Sequence, residues 1–180
     1  MSPQPYPSIN PLLALVAVGG AAVLASYAYF LPRVLPRAST DLNALWFGID
    51  GQLRTFYYVS IVLSALCFLA SFVWLLVTDN AHARHHIDRT LVPHSVLFLG
   101  AVLWSVALWT WGQNAPSWWV TRSFVVLALT ITTVGAVWLL VEYVQTLRAP
   151  WWVCLFVAYL LFHVGAMDNI GWVAAFIKKT

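Results

Sequence analysis

The sequence predicts an all-α membrane protein, a bundle of five transmembrane helices, and three observations carry that prediction. Of the 180 residues, 62% are hydrophobic and 8% are charged, whereas soluble domains carry about a quarter charged residues. Five apolar runs, at residues 12–31, 56–78, 92–111, 123–147 and 151–177, each reach the roughly 20 residues that a helix needs to cross the hydrocarbon core. The connections between them leave no room for a soluble domain, so residues 1–180 are expected to form a single transmembrane domain.

The first run follows a leader with no Lys or Arg and with Pro3, Pro5 and Pro7, unlike the basic n-region of a cleavable signal. It is therefore expected to be retained as a span. The connection at 32–55 is rich in apolar residues, among them Leu42, Leu45, Trp46, Phe47 and Ile49. It is expected to fold back on the bundle as a short amphipathic helix or lid, with Asp41 as N-cap after Pro36. The third run opens on Pro93 and His94, and a first helical turn accepts proline because the missing N–H has no partner there in any case. Only Arg148, Ala149 and Pro150 separate the fourth and fifth runs, which predicts a tight antiparallel hairpin.

An odd number of spans puts the termini on opposite sides. Arg33, Arg37, Arg54, Arg122, Lys178 and Lys179 fall on one side, and Arg84, Arg89 and Arg148 on the other. The positive-inside bias then predicts a cytoplasmic C-terminus and an N-terminus outside, in a membrane the sequence does not name. Trp111, Trp118, Trp119, Trp151 and Trp152 lie at span ends, where interfacial aromatic belts form. The basic residues are scattered singly, so no nucleic-acid partner is implied; the lipid bilayer is the partner that composition demands.

Lipid is as apolar as leucine, so small and polar residues mark helix faces that turn inward. In the second span Tyr57, Ser60, Ser64, Cys67, Ser71, Trp74 and Thr78 recur every three or four residues along one face. Shorter stripes run through Gly19, Ala22, Ser26, Tyr29 and Arg33 in the first span, and through Thr132, Gly135, Leu139, Glu142 and Thr146 in the fourth.

Asp168 is the least expected residue. A carboxylate at mid-membrane costs about 2.5–3.5 kcal/mol even on insertion scales, and at 1.5 Å per residue Asp168 lies about 25 Å along the fifth span from Trp151. On an α-helix His163, five residues away, stands about 140° round from it, which predicts no same-face pair. A partner is expected on another helix or in the first loop, with Arg33, Arg37 and Arg54 as candidates. Glu142, near the end of the fourth span, is expected to reach the interface or Arg148.

No catalytic motif occurs: there is no phosphate-binding glycine loop, nucleophile elbow or HExxH. His82, Arg84, His85 and His86 include one histidine-box spacing of the membrane di-iron enzymes, but such sites need several boxes and the chain has five histidines in all. A zinc site of His82, His85 and His86 with Asp79 or Asp88 is weighed against a solvated loop, and the loop is favoured, so no metal site is assigned. The only lysines, Lys178 and Lys179, lie outside the spans, which excludes a retinal Schiff base. His163 stands alone on its helix, open either to axial coordination of haem or to a hydrogen bond with a neighbouring helix.

The run Leu45-Trp46-Phe47-Gly48, followed by Tyr57-Tyr58, by Ser64 to Phe68 and by Phe72-Val73-Trp74, is similar to the Trp-containing loop and Tyr-rich second helix of the TspO/translocator proteins, also called peripheral benzodiazepine receptors. Asp168-Asn169-Ile170-Gly171-Trp172 resembles the Asn and Trp of that family's fifth helix. This chain lacks the family's paired prolines before the second helix, carries Asp168 where the family has Asn, and echoes its third helix in Trp104 and Trp109. The resemblance implies a cavity among the helices, closed by the first loop, that binds porphyrins such as haem, sterols or similar flat hydrophobic ligands.

Three functions remain open on the sequence. The first is a binding protein or transporter-like receptor for a flat hydrophobic ligand, lined by Trp46, Tyr57, Ser64, Trp104, Asp168, Asn169 and Trp172. The second is an accessory subunit of a larger respiratory or photosynthetic membrane complex. The third is a proton-coupled carrier or channel using Asp168 and His163, where the absence of an internal repeat calls for a homodimer to supply the usual transporter symmetry.

Overall fold

The computed structural model describes residues 9–34, 49, 51–112 and 118–174. Its helices are α1 (Asn10–Val34), α2 (Gly51–Val77), α3 (Ala81–His85), α4 (Leu91–Gly112), α5 (Trp118–Val141) and α6 (Trp151–Leu161). A 3₁₀ turn at Ile87–Thr90 leads into α4, while α5 and α6 run on without interruption into π-helical segments at Glu142–Thr146 and Phe162–Trp172. Among the described residues there is no strand. Helix is the expected form, because in hydrocarbon a segment must satisfy its own backbone hydrogen bonds.

Among the described residues five stretches are long and apolar enough to cross a membrane: Asn10–Phe30, Gly51–Val77, Ile87–Thr110, Arg122–Thr146 and Trp151–Trp172. The chain is an all-α, integral, multi-pass membrane protein, and these bounds follow the sequence-predicted spans to within a few residues. The centre of the first loop, with Asp41 and Trp46, lies outside the described residues.

The bundle closes as a chain of neighbours: α1 packs on α4, α4 on α5, α5 on α6, and α6 on α2. Its apolar interior stacks in three tiers. At one end Leu12, Phe72, Trp74, Leu75, Leu139, Tyr143 and Val153 meet under α3. Leu97, Ala136, Leu160 and Val164 occupy the middle, and Tyr57, Ala107, Leu108, Val125, Leu129 and Trp172 form the opposite end. The start of α1, the end of α2, the end of α5 and the start of α6 thus share one end, as alternating spans require.

Glycine decides how closely α4 and α5 approach. A Cβ on Gly100 would lie 2.5 Å from the Thr132 backbone nitrogen, and one on Gly135 would lie 2.6 Å from that of Leu97. Each helix therefore seats its glycine against the other's backbone, the small-residue contact that substitutes for a hydrophobic driving force in lipid. The predicted α5–α6 hairpin is present. Arg148 takes φ 49°, the left-handed residue that ends the helix; the closing bond Leu147 N–H to Glu142 O has π-helical reach, and Ala149 N–H to Tyr143 O spans one residue more.

On the same face of the bundle Asn80 caps α3, its Oδ1 accepting from His82 N and Ala83 N at 3.0 and 3.3 Å. His82 Nε2 hydrogen-bonds the Thr146 carbonyl at 2.9 Å, which ties this loop to the end of α5. The imidazoles of His82 and His85 both lie edge-on to His86, with centroids 4.8 and 4.9 Å away. Partial burial, followed by the charges of His82, His85 and Arg89, pushes His86 below the ordinary imidazole range. Among the described residues no group of three His, Cys, Asp or Glu side chains is placed to hold a metal ion.

Candidate functional site

The inward stripe of α2 lies where its spacing puts it. Tyr57, Ser60, Ser64, Ser71, Trp74 and Thr78 are buried and Cys67 is partly so, on the helix that packs against α6. Most of these hydroxyls are satisfied locally: Ser64 and Ser71 donate to the carbonyls of Ile61 and Phe68 within their own helix. Tyr57 and Ser60, one turn apart, reach instead across to α6. The Tyr57 hydroxyl donates to Asp168 Oδ1, and Ser60 Oγ lies 2.9 Å from His163 Nδ1.

The second carboxylate oxygen of Asp168 faces His163 Nε2 at 3.7 Å. This overturns the α-helical expectation that the two residues stand about 140° apart. Phe162–Trp172 is π-helical, and a ladder bonded i to i+5 places residues five apart one above the other. The partners of Asp168 also differ from the arginines expected of it. Among the described residues they are Tyr57 and His163, and Arg54 Nε donates to the Ile49 carbonyl at 3.1 Å; Arg37 and the Arg33 side chain lie outside the described residues.

A tautomer follows from the donors. Asp168, an acceptor, faces Nε2; Tyr159 OH donates to Ser60 Oγ at 3.3 Å, and Ser60 gives its own proton to His163 Nδ1. Nε2 carries the ring proton and aims it at Asp168. His163 Nδ1 thus makes a hydrogen bond to the neighbouring helix α2. The contact of Nε2 with Asp168 is longer than the roughly 2.7–2.9 Å of a charge-assisted bond, and the Asp168 side chain keeps 25% of its surface accessible.

Asn169 turns to the other side of α6. Its Nδ2 donates to Thr133 Oγ1 at 3.3 Å, and Thr133 shares its own proton between Leu129 O and Val164 O. Trp172, four residues beyond Asp168, is buried and meets Trp104 of α4 edge-on at 6.0 Å. Trp104 in turn meets Tyr27 of α1 at 5.6 Å, and Tyr27 is within electrostatic reach of Asp168. Trp104 Nε1 is buried with no acceptor among the described residues.

Of the residues expected from the sequence, Tyr57 meets Asp168 and Trp104 meets Trp172, while Asn169 bonds Thr133 on the other side. Ser64 lies on the same face one turn deeper with its hydroxyl already satisfied, and Trp46 lies outside the described residues. Sequence reasoning missed Tyr27, Thr133 and Tyr159. It had turned Tyr29 inward, yet Tyr29 is 53% exposed, and α1 presents Leu12, Gly19, Ser26 and Tyr27 to its neighbours. Among the described side chains of the proposed stripe only Gly19 and Ser26 face inward; that of Arg33 lies outside the described residues. For Thr133 the available signal was its place next to Thr132, on the edge of the α5 stripe.

Glu142 makes no ion pair with Arg148; its Oε1 accepts from Trp138 Nε1 at 3.1 Å, one turn back on the same helix. Against known proteins, the chain matches no family model, no curated protein and no solved structure.

Proposed function

We propose that this protein binds a flat hydrophobic ligand within its helix bundle, in the belt that surrounds Asp168. One observation carries the reading: all five spans deliver an aromatic or polar side chain to the same level. Tyr27 comes from α1, Tyr57 from α2, Trp104 from α4, Thr133 from α5, and Asp168, Asn169 and Trp172 from the π-helical end of α6. Interhelical packing alone is served by small residues, as at Gly100 and Gly135. A shared level of large aromatic rings around a carboxylate and an unused indole donor suits a ligand with an apolar body and polar edges. π-helical segments, rare in general, are frequent at functional sites.

The likeness to the translocator proteins points to the same level of the bundle and suggests porphyrins or sterols as first ligands to try. The charge bias of the loops orients the protein with its C-terminus, and so the Asp168 end of the bundle, towards the cytoplasmic side.

Titration of the purified protein with haem, protoporphyrin IX and cholesterol, followed by tryptophan emission and thermal shift, tests the reading. Saturable binding of at least one, weakened by Trp104→Leu and by Trp172→Leu but not by Trp151→Leu at the exposed end of α6, is the expected outcome. No saturable response to any of the three, or equal loss in all three variants, would remove the belt as a binding site.

A further inference from the structure

The rings beside Asp168 are set as walls. Tyr27 crosses Trp104 at 70° with centroids 5.6 Å apart, and Trp104 crosses Trp172 at 73° and 6.0 Å. Tyr57, whose hydroxyl is bound to the carboxylate, crosses the His163 ring at 68°. In each crossing the edge of one ring occupies a face of the other, and the remaining faces turn in different directions, where parallel stacking would bury faces in pairs.

The carboxylate in this corner is incompletely satisfied. A carboxylate offers about four acceptor positions. Among the described residues Oδ1 takes the Tyr57 proton, and Oδ2 has only the distant His163 N–H, at 3.7 Å. His163 in its Nε2–H tautomer is a neutral donor, so among the described residues Asp168 is in contact with no resident cation. Its accessible quarter leaves a way in.

Aromatic faces and a carboxylate both attract positive charge, since the faces carry the negative part of the ring quadrupole and the carboxylate a full charge. A neutral molecule gains from the faces only by burial, and an anion is repelled by both. A cation also offsets the cost of holding Asp168 charged in low dielectric. We propose that the belt selects flat hydrophobic molecules bearing a protonated amine or quaternary ammonium, with the cationic nitrogen against Asp168 and the rings of Tyr27, Trp104 and Trp172. This rests on the ligand-binding reading above and adds the sign of the ligand's charge.

Three probes that share one ring system separate charge from shape: 9-(aminomethyl)anthracene, 9-anthracenemethanol and 9-anthracenecarboxylate. The full-length protein is placed in nanodiscs of zwitterionic lipid, and energy transfer from tryptophan to anthracene is read after correction for partition into protein-free nanodiscs. The ammonium is expected to bind about tenfold tighter than the alcohol, and the carboxylate more weakly than either. Asp168→Asn keeps an acceptor for Tyr57 and removes the charge. It should bring the ammonium to the affinity of the alcohol and leave the alcohol unchanged.

Tyr27→Leu, which removes one wall and leaves Asp168 intact, should lower the preference for the ammonium about threefold, and it serves as the test if Asp168→Asn does not fold. Equal binding of the ammonium and the alcohol, or a preference that survives Asp168→Asn, overturns the charge inference and leaves the flat-ligand reading standing. Failure of all three anthracenes, together with haem, protoporphyrin IX and cholesterol, overturns both.

Discussion

Removing the Tyr57 hydroxyl isolates the contact that holds α2 to the π-helical end of α6. Tyr57→Phe deletes one donor and almost no buried area, because the ring stays in the tier with Trp172 and Leu108. A hydrogen bond to a charged group is worth about 1.5–3 kcal/mol in soluble proteins. Polar contacts between helices in lipid average about 0.6 and reach about 1.7 kcal/mol. Asp168 retains 25% accessibility, so water can replace part of what is lost. The loss should therefore be about 1–1.5 kcal/mol, at the upper end of the membrane range because the acceptor is a carboxylate.

A double-mutant cycle of Tyr57→Phe and Asp168→Asn, measured by reversible unfolding in bicelles, should give a coupling of about 1 kcal/mol. Tyr159→Phe, which removes a neutral bond of 3.3 Å to Ser60, should cost about 0.5 kcal/mol. A coupling between Tyr57 and Asp168 below about 0.5 kcal/mol, the scatter of independent sites, would mean that the two residues do not hold the helices together.

Other outcomes follow from packing and from charge. Gly100→Ala and Gly135→Ala each place a Cβ within 2.6 Å of backbone on the facing helix; backbone cannot step aside, so each should cost about 1–3 kcal/mol. Gly20→Ala, with nothing within 4 Å of its Cβ, should be neutral or stabilise by up to about 1 kcal/mol. Comparable losses at all three glycines would show that the α4–α5 approach is not what sets the cost.

At the other end of the bundle, His86 is held below its ordinary value by burial and its basic neighbours. The folded loop therefore binds fewer protons than the unfolded one. Its stability is full above about pH 6.5 and falls as acid is added below that value. Amide exchange over residues 81–90, corrected for intrinsic rates, should quicken between pH 7.5 and 5.5, and His86→Gln should flatten that change. A profile unaltered by His86→Gln would place the sensitivity elsewhere.

Much of the architecture was legible in one dimension. A bilayer demands helices of a set length that satisfy their own backbone, so five apolar runs mark five spans, and three residues between two of them impose a hairpin. Within α2 and the residue after it the alternation of three and four among Tyr57, Ser60, Ser64, Cys67, Ser71, Trp74 and Thr78 is dense enough to identify the inward face unaided. α1 shows where that signal weakens. Lipid and protein interior are equally apolar, so a span with few polar residues says little about its rotation, and Tyr29 and Tyr27 were interchanged.

What the sequence by itself determined is the number of spans, the order in which they cross and the inward face of the helix with a polar stripe. Each follows from solvation of the backbone and from fixed helical periodicity. Tertiary structure decided which side chains meet at Asp168. His163 reaches it only because residues 162–172 adopt a π-helical register, which no α-helical spacing rule anticipates. Tyr57, Tyr27 and Trp104 arrive from separate helices whose rotation is set by the neighbours they pack against.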